Sequence, residues 1–373
     1  MIITGNCIEV MPQLEAESFH TCVTSPPYWG LRDYGLEPSH WSEMTYTPMP
    51  GLPSLTVPEW SGCLGLEPTP EMFVAHTVMV FREVWRLLRA DGTLWMNFGD
   101  SYAGSGKGAW SNTDDQKEVY VPAPDSPQTK IPKSPSGLKA KDMVGIPWRV
   151  AFALQAEGWY LRLDNIWHKP NPMPESVRDR PTKAHEYMFL LSKSERYYYD
   201  AESILEPVSP NTHARLSQDV MNQIGSDRAN GGAKTNGNMK AVGRKPKASK
   251  AGSGIKYNES YESALALPVT QRNKRSVWTV TTQGFSEAHF ATFPEALIKP
   301  CILAGAPVGG RVLDPFGGSG TTLKVAMENN RECTIIEMGP HNVEIAERRT
   351  AVVQPTLIFL RKGQSLFPPH TTI

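Results

Sequence analysis

The sequence predicts an α/β protein, and three observations predict it. An amphipathic helix is followed by a β-prone run over residues 71–98. The same alternation returns after Phe293. A glycine-rich turn at residues 314–322 sits between a predicted strand and a predicted helix, with an acid at the end of the following strand. The chain has 373 residues, 40% of them hydrophobic, enough for one large domain or two ordinary ones.

Residues 1 to about 35 read as strand, helix, strand and turn. Ile8, Val10, Met11 and Leu14 have the spacing of a short amphipathic helix. Thr21-Cys22-Val23-Thr24 is β-prone and stops at Ser25-Pro26-Pro27, because proline has no N–H and restricts the residue before it. Residues 36–70 are proline-rich and lack periodicity, which predicts an ordered surface insertion. Phe73, Val80, Val84 and Leu87 have helical spacing between Glu71 and Arg89. Ala90-Asp91-Gly92 is expected to end that helix, and Thr93–Phe98 to form the next strand.

Residues 101–142 are loaded with Gly, Ser, Pro and Lys and read as a mobile loop. A helix through Arg149–Ala156 leads to Gly158 and the strand Trp159–Leu163, and Tyr187–Leu191 reads as a buried strand. Over residues 206–275 twelve basic residues face five acidic ones, in a Gly-, Asn- and Ser-rich context that alone reads as a solvated loop. Pro294–Ala304 is predicted helical, Arg311–Asp314 a strand, Thr321–Glu328 a helix, Glu332–Glu337 a strand and His341–Arg349 a helix.

Composition excludes several classes. The formal net charge is zero, which argues against a histone-like or tail-like binder of nucleic acid. Cys7, Cys22, Cys63, Cys301 and Cys333 are scattered and form no C-x-x-C pair, so neither a metal site nor a disulfide framework is expected. There is no apolar run of about 18 residues and no signal-peptide pattern, so the reading is a soluble, cytoplasmic protein without a membrane.

Two turns carry the chemistry. The first is Asp314-Pro315-Phe316-Gly317-Gly318-Ser319-Gly320-Thr321-Thr322. Its glycines let the backbone turn sharply and approach a ligand. Glu337, at the end of the next strand, can accept hydrogen bonds from both ribose hydroxyls of a nucleoside-like cofactor. The glycine spacing departs from the dinucleotide pattern. Asp314 suits a cationic, methionine-like group better than a pyrophosphate, which it would repel.

The second turn is Ser25-Pro26-Pro27-Tyr28-Trp29. Two prolines fix its path and leave carbonyls free to accept. The Ser25 hydroxyl and the Pro26 carbonyl together can hold the two hydrogens of an exocyclic amine and aim its lone pair at a methyl donor, an effect of orientation. Tyr28 offers a flat face on which an extruded base can stack.

With both turns in view the chain resembles the beta class of DNA amino-methyltransferases, in which the catalytic motif precedes the cofactor motif. Ser25-Pro26-Pro27-Tyr28 is similar to their catalytic motif, Asp314–Gly320 to their cofactor motif, and Glu337 to their ribose-binding acid. Trp167-His168-Lys169-Pro170-Asn171 resembles a further base-pocket motif, which assigns Trp167, Lys169 and Asn171 to the base pocket, together with Trp29 of the catalytic turn. His289–Glu295 resembles the helix start that cradles the methionine end of the cofactor, which adds Phe293. The family's Gly-Asp-Cys is Gly5-Asn6-Cys7 here, and the Asn6 amide is expected to contact the cofactor.

The resemblance implies a Rossmann-like sheet with permuted motif order, S-adenosyl-L-methionine as cofactor, and double-stranded DNA as partner. It divides the chain into a catalytic half at 1–205, with insertions near 36–70 and 101–142, a basic target-recognition region at 206–275, and a cofactor half at 276–373. Arg244, Lys245, Lys247, Lys250, Arg272, Lys274 and Arg275 are then expected to neutralise DNA phosphates. A cognate restriction endonuclease and a bacterial or phage-infected host cell go with such an enzyme.

Serine at the first motif position points to cytosine N4 as the target, with adenine N6 the alternative. The amine is itself the nucleophile, so no catalytic cysteine is needed. An RNA or protein-glutamine methyltransferase, or a binding protein that has kept the fold without catalysis, are the competing readings.

Overall fold

The computed structural model describes residues 1–30, 33, 35–103, 137–139, 141–208, 271–282 and 293–353. The chain divides into two units, Met1–Ser203 with Arg275–Ile373, and Ile204–Lys274. The first is α/β. Its N-terminal strand β1 (Ile2–Thr4) leads into a short helix, α1 (Cys7–Val10), and a 3-10 turn at Met11–Gln13. Strand β2 (Phe19–Thr24) follows.

The proline-rich stretch folds into a two-tier hairpin. Strands β3 (Ser39–Trp41), β4 (Met44–Tyr46), β5 (Leu55–Val57) and β6 (Trp60–Gly62) pair as β3 with β6 and, nested inside, β4 with β5. It is more than a surface appendage, because Trp41, Met44, Tyr46 and Val57 join the main core. Short strands of two or three alternating pairs give too weak a pattern to be read from sequence.

Helix α2 (Pro70–Leu87) starts with Thr69, whose hydroxyl accepts from the Met72 amide at 3.2 Å, and with proline at its first position. The hairpin packs on α2 through Trp41 and Trp60, which stack on His76 and help to bury it. Strand β7 (Leu88–Phe98) begins directly at the helix end. Ala90-Asp91-Gly92 therefore does not form the expected turn. It is absorbed into an irregularity that sets Leu88–Thr93 against Phe19–Thr21 of β2.

Helix α3 (Ile146–Ala156) is followed by the antiparallel strands β8 (Tyr160–His168) and β9 (His185–Ser192). In the second unit the described residues contribute one short antiparallel pair, β10 (Glu206–Pro207) with β11 (Gln271–Arg272). The first unit resumes with β12 (Val277–Thr279), α4 (Glu295–Gly305), β13 (Arg311–Asp314), α5 (Thr321–Glu328), β14 (Glu332–Glu337) and α6 (Pro340–Ala351).

One sheet organises the first unit, in the order β1-β14-β13-β2-β7-β9-β8-β12. All neighbours pair parallel except where β9 runs against β7 and β8. The core lies on the central strands, with Phe19, Cys22, Leu94, Met96, Phe98, Phe189 and Leu313 fully buried. Each such side chain stabilises the fold by about 1.5–3 kcal/mol. This topology puts the ends of β2, β7, β8, β13 and β14 and the start of β9 on one edge of the sheet, where ligands of open α/β sheets bind. Among the described residues no helix is long and apolar enough to cross a membrane.

Candidate active site

The glycine-rich turn leaves β13 at Asp314 and enters α5 at Thr321. Gly318 and Gly320 have φ of 48° and 80°, a left-handed backbone that glycine adopts without strain. At Gly320 an added Cβ would lie 2.7 Å from the Ala346 Cβ, so the turn packs directly onto α6. At Gly318 an added Cβ would meet only the Phe316 carbonyl, at 4.0 Å, so that side of the turn is open.

Asp314 is 1% exposed. Its carboxylate accepts from the hydroxyls of Thr24 and Thr322, each at 2.6 Å, and from the Phe316 amide at 3.0 Å. Burial pushes this carboxyl up to about 6, against the opposing effect of those hydrogen bonds. The charge that sequence reading aimed at a cationic ligand is thus spent within the protein, where it ties the end of β2 to the cofactor turn.

Glu337 closes the other side. Its carboxylate accepts from the Gly318 amide at 2.8 Å, the Gly339 amide at 2.8 Å and the Asn342 side chain at 3.1 Å. Arg349 of α6 donates to the Ser319 carbonyl and hydroxyl and to the Thr321 hydroxyl, at 2.8–3.0 Å, and to Glu295 of α4 at 3.2 Å. Thr321 and Phe316 therefore sit at the turn as expected, and Phe293 is half-buried just before α4. Of its predicted segment, His289–Thr292 lie outside the described residues, and Pro294 and Glu295 begin α4.

Asn6 caps α1 through its carbonyl oxygen, which accepts from the Ile8 amide at 3.2 Å, and its amide donates to Ser39 at 2.8 Å. Gly5 beside it donates to the Glu337 carbonyl at 2.9 Å, so Asn6 stands at the same edge while its side chain serves the fold.

The Ser-Pro-Pro-Tyr turn follows Thr24 immediately, and β2 is the direct neighbour of β13. The Thr24–Asp314 bond therefore brings together two turns separated by about 290 residues. Ser25, Pro27 and Tyr28 are half-buried and Pro26 is buried. The Tyr28 hydroxyl lies 2.8 Å from Glu186 and 3.0 Å from Asn97. Neither partner stands out in the sequence. Asn97 is one polar residue within an apolar strand, and Glu186 has no local motif around it.

The residues assigned to the base pocket have these surroundings. Trp29 is 3% exposed and its indole N–H donates to the Glu67 carbonyl at 2.9 Å, so it anchors the turn from behind and lines no open pocket. An aromatic beside a catalytic turn can pack either way, and here the segment between β6 and α2 holds Trp29 inward. Trp167 is likewise buried, donating to the Val280 carbonyl at 2.8 Å. Lys169 pairs with Glu186, and its ammonium lies 4.2 Å from the centre of the Trp167 ring. Asn171 ties its loop to Thr282, accepting from the Thr282 amide at 3.1 Å.

Behind the catalytic turn, Glu67 and His76 form a fully buried pair at 3.0 Å, and burial raises the Glu67 carboxyl above its ordinary value. The imidazole stacks on Trp41, with ring centres 4.5 Å apart.

Of the predicted phosphate contacts, Arg244, Lys245, Lys247 and Lys250 lie outside the described residues. Arg272 pairs with Glu206 at 3.0 Å across the β10–β11 ladder. Lys274 and Arg275 follow that ladder. All five cysteines are reduced and buried, and burial drives Cys7 up to about 12, far from a reactive thiolate. Among the described residues no group of acids, histidines and cysteines could hold a metal.

The cradle fits an S-adenosyl group. Gly318 leaves open space, Glu337 supplies a carboxylate at the strand end, and Phe316 offers an apolar face beside them. A sheet edge that joins such a cradle to a Ser-Pro-Pro-Tyr turn defines an S-adenosylmethionine-dependent methyltransferase. Comparison with known proteins specifies which. Residues 19–348 match the DNA methylase family of N6 and N4 methyltransferases, and the chain belongs to it. It is 39% identical over 348 residues to the type II methyltransferase M.SmaI of Serratia marcescens, covering 93% of this chain and 89% of that protein. It is 38% identical to M.Cfr9I of Citrobacter freundii, covering 93% and 86%. Among solved structures, the cytosine-N4-specific PvuII DNA methyltransferase shares the fold, with a TM-score of 0.52 at 16% identity over 98% of this chain and 88% of that one.

Proposed function

We propose that this DNA methyltransferase transfers a methyl group to the N4 amine of cytosine within a specific duplex site. The observation that carries the reading is the Thr24–Asp314 bond at 2.6 Å, which sets Ser25 next to the cofactor turn. Serine, a weak acceptor, stands where an acid would be expected to hold an adenine amine.

In this reading the bound cofactor supplies an electrophilic methyl on sulfur. Glu337, Phe316, Gly318, Gly320, Thr321 and Phe293 hold that cofactor. Asp314 and Asn6 act on its site indirectly, by fixing the turn and the start of α1. The target cytosine is flipped out of the duplex and stacks against Tyr28. The Ser25 hydroxyl and the Pro26 carbonyl accept the two amine hydrogens, which turns the nitrogen lone pair toward the methyl group, and Pro27 keeps the turn rigid. Orientation of this kind is worth several orders of magnitude in rate. No covalent intermediate with the enzyme is required, in keeping with five buried thiols.

The division into a catalytic half at 1–205, a target-recognition region at 206–275 and a cofactor half at 276–373 belongs to the same reading. So do phosphate contacts from Arg244, Lys245, Lys247, Lys250, Lys274 and Arg275. Arg272 is better assigned to holding its own ladder through Glu206. A partner endonuclease cutting the same site, and action in the cytoplasm where the DNA is, complete it.

The test is mass spectrometry of nucleosides from duplex DNA incubated with the protein and S-adenosylmethionine. N4-methylcytosine is expected. N6-methyladenine without N4-methylcytosine overturns the choice of base, and cofactor binding with no methylated nucleoside overturns catalysis itself.

A further inference from the structure

We propose that Glu186 is a positioning residue, whose carboxylate, gripped by Lys169, fixes the Tyr28 ring in the plane on which the target base stacks. The inference rests on the stacking role of Tyr28 given above. One oxygen of Glu186 receives the Tyr28 hydroxyl at 2.8 Å, and the other pairs with the Lys169 ammonium. The Asn97 amide donates at 3.3 Å to the oxygen that receives the Tyr28 hydroxyl, and at 3.0 Å to the Tyr187 carbonyl. Asn97 is 1% exposed, and the Lys169 and Glu186 side chains are mostly covered, so the chain of contacts is shielded from solvent.

The ring is held elsewhere too. A Cβ at Gly99 would come 2.6 Å from the Tyr28 Cε2, so the end of β7 lies directly against the ring and only glycine allows that approach. Phe98 packs 5.8 Å away, centre to centre. The two prolines fix the backbone end of the tyrosine, Gly99 its flank, and Glu186 with Asn97 its tip. A ring that only stacked would need no such tether, because phenylalanine offers the same face.

Nor does stability account for the pair. Desolvating a lysine and a carboxylate offsets most of their attraction, so such pairs contribute geometry more than free energy. The arrangement also gives Lys169 a task. Held over the Trp167 ring, it pins the carboxylate and not the base.

The experiment compares Tyr28→Ala, Tyr28→Phe, Glu186→Leu and the double variant Tyr28→Phe/Glu186→Leu in steady-state methylation of duplex DNA, cofactor binding and thermal melting. Leucine is chosen because a glutamine would still accept from the tyrosine hydroxyl. Glu186→Leu and Tyr28→Phe should each lower kcat about tenfold or more, with cofactor Kd close to wild type. Tyr28→Phe should melt close to wild type, and Glu186→Leu lower, because Lys169 loses its partner. The double variant should be no slower than the slower single variant, because both remove one tether. Wild-type kcat in either single variant, or losses that multiply in the double variant, overturns the proposal. Should Glu186→Leu fail to fold, Tyr28→Phe alone decides. If Tyr28→Ala transfers methyl groups at the wild-type rate, the stacking role falls and takes the tether with it. If Tyr28→Ala is inactive while Tyr28→Phe is not impaired, only the tether falls.

Discussion

At the scale of single residues, the same side-chain chemistry is put to different uses by the partners it meets. Asp314 and Glu337 are both buried acids at strand ends: Asp314 accepts from two threonine hydroxyls and one amide and ties β2 to the cofactor turn, while Glu337 accepts from the Gly318 and Gly339 amides and the Asn342 side chain and braces the turn from the next strand. The Asp314 carboxyl, raised from 3.8 to about 6, holds a proton more tightly in the folded protein than in the unfolded chain. Its contribution to stability therefore falls as pH rises between those values and is constant above them, by about 3 kcal/mol in all. Asp314→Asn removes that dependence. The melting temperature of the variant minus that of wild type should accordingly grow from pH 4 to pH 6.5, and a flat difference in calorimetric melts refutes this. Ser25→Ala and Tyr28→Ala should each cut methyl transfer by at least about 100-fold, since they remove orientation of the amine and of the ring. Cofactor affinity by titration calorimetry should stay within about twofold, and its loss would relocate the site.

At the scale of elements, the cofactor turn owes its shape to helices around it. Arg349 on α6 holds the Ser319 and Thr321 oxygens and leans on Glu295 of α4. Hydrogen bonds from a charged group are worth about 1.5–3 kcal/mol each. Arg349→Met should therefore weaken cofactor binding about tenfold while kcat at saturating cofactor changes little, a split that steady-state kinetics reads directly. The segment between β6 and α2 acts on the catalytic turn in the same way. The Gly65 carbonyl accepts from the Gly30 amide, and the Glu67 carbonyl from Trp29. His76→Leu leaves the Glu67 carboxylate buried without its partner, at a cost of roughly 3 kcal/mol. Its melting temperature and kcat should drop together, and a drop in neither would mean that the segment carrying Gly65 and Glu67 does not support the turn.

At the scale of the molecule, a net charge of zero conceals a surplus of seven positive charges over residues 206–275. If Arg244, Lys245, Lys247 and Lys250 contact phosphates, each releases counterions on binding. Replacing all four with glutamine should reduce the slope of log affinity against log salt by roughly 3 to 4, measured by fluorescence anisotropy on a cognate duplex. An unchanged slope would assign DNA contact to other residues.

Much of this was legible in the chain itself. Residues 311–337 form a strand, a helix and a strand at the predicted boundaries, because each element carries its own period and its own stop signal. The two turns were legible because proline and glycine restrict or free the backbone whatever surrounds them. Other features were decided only by the tertiary structure. The adjacency of β2 and β13, the hairpin over α2, and the Glu186–Tyr28 bond join residues far apart in sequence, which no local period encodes. Whether an aromatic such as Trp29 faces a ligand or the core depends on what covers it, and that cover comes from another part of the chain.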